Sequence, residues 1–338
     1  MTRVIQLGNF GDDGGGISSV LREFESWEWP TSRHTFVDTY ATDPRLWGAR
    51  RLLAAASTLV RRRKSFDVAH IHLSEKGSFV REGLLVRLAQ ALGLRVVVTM
   101  HGATFVEFAN QYSWLARGVL KHANAIACLT DPTVNELQAL GVTNVTLIPN
   151  AVSADQLTAD ETPMADRMIT VFVGEVSRRK GVDVLLDAWR SVSATYPGAR
   201  LEVYGGPVDV DVPSGGAIAT HGRRPRDEVR QAVRSARLLV LPSRAEAFPM
   251  AILEAMAAGI PVVATDVGQV RDMIDDDELV VPAEDAEQLA QAMASLYADG
   301  ARAEAAAVRN EARYARLFSP RVVAEKYEVL YAAGAAHV

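Results

Sequence analysis

Residues 242–265 read Pro242-Ser243-Arg244-Ala245-Glu246-Ala247-Phe248-Pro249-Met250-Ala251-Ile252-Leu253-Glu254-Ala255-Met256-Ala257-Ala258-Gly259-Ile260-Pro261-Val262-Val263-Ala264-Thr265. The apolar run Leu238–Leu241 before this stretch predicts a buried strand. Pro249 suits the first helical position, where the amide has no intrahelical acceptor to lose. Met250–Ala258 are mostly strong helix formers, Gly259 fits the position just past a helix end, and Pro261 bars continuation. Pro261–Thr265 then predicts the next strand. A strand, a helix of about ten residues and a strand put a helix N-terminus at the carboxyl edge of a sheet, where open α/β sheets bind ligands.

Working outward, the same alternation recurs. Short apolar runs without strict alternation occur at Val4–Leu7, Val68–Leu73, Arg95–Thr99, Ala125–Leu129 and Val145–Ile148, then at Ile169–Val173, Leu201–Tyr204 and Leu279–Val281. Such runs suit strands buried on both faces. Amphipathic stretches such as Arg50–Val60, Val182–Val192, Ala286–Leu296 and Ala303–Leu317 lie between or after them. The pattern predicts two α/β domains with helix-covered parallel sheets. The polar stretch 153–167, containing Pro163, reads as the linker. The expected division is 1–152 for an N-terminal Rossmann-like domain, 166–316 for a C-terminal one, and 317–338 for a terminal helix packing back on the first.

The 338 residues are 49% hydrophobic and 23% charged, enough apolar content for two cores unaided by disulfide or metal. The single cysteine, Cys128, cannot form an internal bridge and sits in an apolar run, so it reads as a buried structural thiol in a reducing compartment. Thiolate zinc clusters are excluded, and no His/Asp/Glu spacing suggests a metal site. The apolar start Met1–Gly8 is too short for a signal peptide, and no run reaches the roughly 18 apolar residues of a membrane span. The net charge of −5 argues against nucleic acid as a partner. It is unevenly spread: residues 1–150 hold 16 Lys and Arg against 13 Asp and Glu, the remainder 20 against 28. Arg61-Arg62-Arg63-Lys64 ends a predicted amphipathic helix and reads either as a solvated end or as a patch for anionic lipid headgroups.

Two glutamates frame the predicted helix. Glu246 lies just before it, and Glu254 five residues past Pro249, about 7.5 Å along the axis. On an average helix both would be solvated side chains or dipole partners. Here Glu254 stands among Leu253, Ala255 and Met256, where an uncompensated carboxylate is costly. A carboxylate accepts two hydroxyl hydrogen bonds, which suits a sugar diol, and free helix-start amides suit an anion. Two diol binders beside an anion site describe a nucleotide sugar. The glycine loop Gly8–Gly16 follows the first strand and precedes a helix at Ile17–Phe24, so Gly15 and Gly16 are candidate donor-binding positions. It lacks the G-x-G-x-x-G spacing, and no acidic residue is evident after a second strand, which argues against a dinucleotide oxidoreductase. Asp209-Val210-Asp211 reads as a loop rather than a metal-binding D-x-D.

Glu246 and Glu254, with seven residues between them in "E-x-F-P-x-x-x-L-E-A-M-A-x-G-x-P-V-V-A-T", resemble the E-x7-E motif of retaining glycosyltransferases, and the best match is glycosyltransferase family 4. Ala247 replaces that loop's usual glycine. Similar segments run from Gly14 to Tyr331. The resemblance implies the GT-B fold: two facing Rossmann-like domains with parallel sheets and a central cleft. It implies transfer of a sugar from a UDP- or GDP-sugar to a sugar or lipid-linked acceptor, with no cofactor or metal. His101, Glu246 and Lys180 become the expected catalytic residues. Arg179, Lys180, Glu246, Phe248, Pro249, Met250 and Glu254 become donor-binding residues, with Glu246 at the donor sugar and Glu254 at the ribose. Lys180 matches the family's diphosphate lysine, but Glu175 stands where an arginine is usual, leaving Arg178 or Arg179 to supply that charge. Tyr204-Gly205-Gly206 and His221-Gly222-Arg223 are expected at the diphosphate and base, while Ile148-Pro149-Asn150 is read as structural and His70 and His72 as core or rim. The expected location is cytoplasmic, at the inner face of a membrane through the basic first domain. The alternatives are a nucleotide-sugar epimerase of the same architecture and a non-catalytic nucleotide-sugar-binding module.

Overall fold

The computed structural model describes residues 1–10, 16–40, 47–154 and 162–332. The chain forms two units, the first comprising Met1–Ser153 with Ser319–Val338 and the second Ala154–Phe318. Each is an α/β unit built on a parallel sheet.

In the first unit the order is β1 (Thr2–Gly8), α1 (Gly16–Ser26), β2 (Ser32–Asp38), α2 (Trp47–Arg61), β3 (Val68–Leu73), α3 (Gly77–Ala91), β4 (Arg95–Met100), α4 (Phe105–Gln111), α5 (Ser113–Leu120), β5 (Ala125–Cys128), α6 (Asp131–Ala139) and β6 (Val145–Leu147). The strands line up as β2-β1-β3-β4-β5-β6, all parallel. The two sheet faces differ in chemistry. Ile5, Leu7, Ala69, Ile71, Val96 and Val98 belong to one apolar core with Leu59 of α2 and Phe79 of α3. Alternate positions carry Gln6, His70, His72 and Thr99, all fully or almost fully buried. Both faces of this sheet are therefore covered, but within β3 the residues Ala69–Leu73 alternate between apolar and polar side chains. Cys128 is buried on β5, and burial pushes its thiol up to about 12.

β2 is a strand that the apolar-run reading passes over. As an edge strand, Ser32–Asp38 pairs on one side only and carries Arg33, His34 and Thr35 in place of a continuous apolar run. Its recognition also corrects the expectation that no acidic residue follows a second strand. β2 ends in Asp38, whose Oδ1 accepts from the amides of Phe10 and Tyr40 at 3.0 Å each. That carboxylate ties Phe10, just past β1, to the end of β2, with Arg51 3.6 Å from its other oxygen.

The second unit runs β7 (Ile169–Val173), α7 (Val182–Thr195), β8 (Arg200–Tyr204), β9 (Ile218–Gly222), α8 (Arg226–Arg234), β10 (Leu238–Leu241), α9 (Met250–Ala257), β11 (Val262–Thr265), α10 (Val270–Ile274), β12 (Val280–Val281), α11 (Ala286–Ala298) and α12 (Gly300–Leu317). The chain then returns to the first unit as α13 (Pro320–Ala332). Its sheet is parallel in the order β12-β11-β10-β7-β8-β9. α9 fills the predicted helix, and its Ile252, Leu253 and Met256 are fully buried. Each contributes about 1.5–3 kcal/mol of apolar burial.

Arg237, 1% exposed, precedes β10. Its Nε donates to the Leu296 carbonyl at 2.9 Å, its Nη2 to the same oxygen, and its Nη1 to the Met164 carbonyl. Burial lowers its pKa, and its guanidinium lies 5.9 Å from the Tyr297 ring centre. Arg237→Met keeps the bulk but removes these donations, depriving the Leu296 carbonyl of its guanidinium partner and leaving the Met164 carbonyl only the Arg167 amide. It is expected to destabilise the chain by about 2–4 kcal/mol, read from urea denaturation.

Candidate functional site

In the second unit, β8 lies on one side of β7 and β10 on the other. Strand order reverses there, so the loops after β7 and β10 part and leave a crevice at the carboxyl edge of the sheet. The loop after β7 carries Lys180 and the loop after β10 carries Glu246. Lys180 Nζ donates to Glu246 Oε1 at 2.5 Å, with both side chains mostly buried. Ser243 Oγ donates to the same oxygen at 2.8 Å, and Thr265 Oγ1 holds Ser243 by donating to its carbonyl at 2.5 Å. Lys180 and Ser243 converge on Oε1, and among the described residues no bond reaches Oε2.

The Lys180 loop is held by its surroundings. Gly181 has φ +69° and lies so close to β10's exit that a Cβ would sit 1.8 Å from the Pro242 carbonyl. Arg244 clamps the loop: its backbone amide donates to the Arg179 carbonyl at 2.9 Å, and its guanidinium donates to the Arg178 carbonyl. The same guanidinium meets Asp183 at 2.7 and 3.0 Å and also pairs with Glu284. Its hydrogen bond holds the Asp183 carboxyl below its ordinary range.

The remaining expected residues of this unit separate into near and engaged. Phe248, Pro249 and Met250 run from Glu246 into α9, whose N-terminus has no side-chain cap. Phe248 is buried edge-on against Phe318 at 5.6 Å. Arg179 meets Glu175 at 3.1 Å and the Ala245 carbonyl at 3.4 Å, so the unexpected glutamate is its partner. Arg178 pairs with Asp183 at 3.3 Å, while its amide donates to Asp209 Oδ1 at 2.8 Å. Glu254 accepts from Arg226 of α8 at 3.1 Å, with Arg230 at 3.9 Å. These arginines, which sequence reading did not single out, compensate the carboxylate in its apolar helix. The repeat of arginine at i and i+4 on α8 was the available signal. Tyr204 stacks on His221 at 4.4 Å, and His221 is bonded to Glu202. Among the described residues no group of three or more His, Cys, Asp or Glu is placed to hold a metal.

His101 and Gly16 belong to the first unit, and Gly15 lies outside the described residues. Gly16 opens α1 and is exposed. His101 follows β4, partly buried, with its Nε2 2.8 Å from His72 Nδ1. The loop beyond it rests on Glu75, another residue missed from sequence. A Cβ on Gly102 would lie 1.8 Å from Glu75 Oε2, and Glu75 accepts from Thr104 at 3.0 Å and Ser74 at 2.7 Å. His70 and His72 stack at 4.3 Å within the buried polar face. Burial lowers the pKa of all four neighbouring histidines, His34 and His101 to about 3, and His70 and His72 well below the usual value.

Sequence comparison divides the chain where the fold does. Residues 20–151 match the family described as glycosyl transferase 4-like domain, and residues 167–299 match glycosyl transferases group 1. This chain is a GT-B-fold relative of the glycosyltransferases. A phosphatidylinositol N-acetylglucosaminyltransferase polypeptide of Arabidopsis thaliana is 27% identical over 306 residues, which cover 86% of this chain and 66% of that protein. Phosphatidyl-myo-inositol mannosyltransferase of Mycobacterium leprae is 30% identical over 249 residues, covering 68% and 64%. The chain thus spans about two thirds of the length of these curated relatives. Among solved structures, sucrose-phosphate synthase of Thermosynechococcus elongatus superposes with a TM-score of 0.76 at 20% identity, covering 98% of this chain and 99% of that one. HepE of Anabaena, in complex with UDP, gives 0.76 at 13%, covering 98% and 100%.

Two outcomes follow from this geometry. Gly181→Ala is expected to cost about 2–4 kcal/mol through left-handed backbone and the clash with Pro242, read as a lowered urea midpoint. The depressed histidines give the fold an acid dependence. Their unfolded forms protonate near pH 6.5 and their folded forms do not, so this stability is complete above about pH 6.5. It is lost as pH falls toward 3, at up to about 1.4 kcal/mol per pH unit for each histidine. A series of urea midpoints between pH 8 and 5 measures it.

Proposed function

We propose that the chain is a retaining glycosyltransferase that moves a sugar from a UDP- or GDP-sugar to a hydroxyl of a sugar or lipid-linked acceptor. The observation that carries this reading is the Lys180–Glu246 pair at the strand-order reversal of the second unit. A lysine fixed there is aligned before substrate arrives, so little reorganisation is needed to neutralise a departing diphosphate. The uncapped start of α9 adds backbone amides for the same anion. Glu246 offers Oε2 to a donor-sugar hydroxyl while Oε1 keeps Lys180 and Ser243. Glu254, steadied by Arg226, takes the ribose, and Arg179 supplies the second cation.

In this reading residues 166–316 bind the donor and residues 1–152 serve the acceptor, with His101 beside the reacting sugar. The relatives named for phosphatidylinositol and phosphatidyl-myo-inositol support a lipid acceptor, and we place the encounter at the inner face of a membrane. The Arg61–Lys64 cluster would provide attraction to anionic headgroups. Among the described residues no helix is long and apolar enough to cross a membrane.

Thermal shift against UDP, GDP, ADP and NAD comes first, followed by a donor panel of UDP-glucose and GDP-mannose with lipid extracts and mass-spectrometric readout. UDP or GDP is expected to raise the midpoint, and the product anomer to match the donor's. Lys180→Ala is expected to weaken nucleotide binding at least about tenfold, the loss of one charge-assisted hydrogen bond. Stabilisation by NAD alone, or unchanged transfer by Glu246→Gln, would overturn the assignment. Epimerised donor with no acceptor product points to the epimerase reading instead.

A further inference from the structure

The polar face of the first unit's sheet contains one unbroken line of hydrogen bonds. It starts at Glu328 on α13, whose Oε1 accepts from the Thr31 amide at 3.1 Å and from Ser32 Oγ at 2.7 Å. Its Oε2 accepts from Thr31 Oγ1 at 2.6 Å. Ser32 Oγ lies 2.7 Å from His34 Nε2, and His34 Nδ1 lies 2.9 Å from Gln6 Nε2. Gln6 Oε1 lies 2.8 Å from His72 Nε2, and His72 Nδ1 lies 2.8 Å from His101 Nε2.

One end of this line admits no choice, because an ionised carboxylate only accepts. Ser32 spends its single hydroxyl proton on Glu328, so it must accept from His34 Nε2–H. A neutral His34 protonated at Nε2 presents a bare Nδ1, which accepts a hydrogen bond from the amide nitrogen of Gln6. That orients Gln6 with its oxygen toward His72, which therefore donates from Nε2 and accepts at Nδ1. His101 must then carry its proton on Nε2. The side branch obeys the same polarity. Gln6 gives its second amide proton to Tyr331 Oη at 3.2 Å, freeing the Tyr331 hydroxyl to donate to His70 Nδ1 at 2.8 Å. His70 Nε2 then donates to Thr99 Oγ1 at 2.7 Å. Neutral imidazoles throughout are what burial of this face enforces.

We infer that Gln6 and His72 are positioning residues which, wired to Glu328, hold His101 in its Nε2–H tautomer and leave Nδ1 as an acceptor. Among the described residues no protein group bonds to that Nδ1. Through Nδ1, His101 therefore meets its ligand by accepting a hydrogen bond from a hydroxyl, and that nitrogen has no N–H to donate to a phosphate oxygen. The inference rests on the proposed function for one point, that His101 faces the reacting sugar.

The direct test is nitrogen NMR of the full chain labelled at histidine. The expected spectrum shows His101 protonated at Nε2, a scalar coupling from that proton's nitrogen to His72 Nδ1, and no titration of either ring between about pH 5 and 8. A proton on His101 Nδ1, or an averaged pair of tautomers, overturns the relay. In Gln6→Leu, with folding checked by its thermal midpoint, the His101 tautomers should average. Turnover of UDP-glucose or GDP-mannose, whichever the panel identifies, should fall about tenfold in kcat with KM changed less than about twofold, as for loss of one oriented hydrogen bond. Unchanged kcat in a folded Gln6→Leu variant overturns the positioning role. If His101→Ala transfers normally while the tautomer is as expected, the placement of His101 at the sugar is wrong and the wiring stands. An inactive His101→Ala beside scrambled tautomers overturns the wiring alone.

Discussion

A parallel sheet whose strand order reverses must open at its carboxyl edge, because successive crossovers leave in opposite directions. In the second unit that reversal lies between β7 and β10, and the site chemistry follows from it. The two loops that separate there bring Lys180 and Glu246 from 66 residues apart to hydrogen-bond distance. Gly181 permits the close approach, Ser243 fixes the carboxylate, and Arg244 ties the lysine's loop to the glutamate's. Mutual neutralisation lets both charges stay mostly buried without a ligand, and a phosphate or sugar hydroxyl meets a pair already oriented.

The first unit handles buried polarity by a different device. Its inner sheet face holds several neutral groups that satisfy one another in a fixed direction, with a single carboxylate at the far end. Charge is kept at the rim, where Thr31 and Ser32 surround Glu328, while the imidazoles carry only orientation inward. Phe24, Tyr327 and Tyr331 pack against the imidazoles. A half-satisfied version of such a network would cost more than an apolar face, so its members stand or fall together.

Much of this was legible in the sequence where the signal is local. The proline, the helix formers and the terminal glycine of residues 249–259 specify α9 because each acts within a turn of itself. The apolar runs at Ile169–Val173 and Leu238–Leu241 coincide with β7 and β10. Signals carried by contact between distant residues were not legible. β2 is polar because an edge strand is not obliged to be apolar, so Asp38 went unplaced. Glu254's partners sit on another helix, and its isolation in an apolar stretch showed only that a partner was needed. His72 is one histidine in a strand until Gln6, 66 residues away, and His101, 29 away, come beside it. The alternation Ala69-His70-Ile71-His72-Leu73 was the one local clue that a face of that strand is polar.

The first unit is discontinuous: the helix bearing Glu328, Tyr327 and Tyr331 is encoded after the whole of the second unit. On the ribosome, strands β1–β6 therefore emerge long before the side chains that complete their polar face. Gln6, His34 and His70 lack those partners, and Ser32 has no carboxylate to receive its proton. The second unit is contiguous and can close first, reversing the usual amino-to-carboxyl order of domain maturation. A chain truncated before residue 320 would keep the contiguous second unit and leave the histidine-lined face of the first without Glu328, Tyr327 and Tyr331.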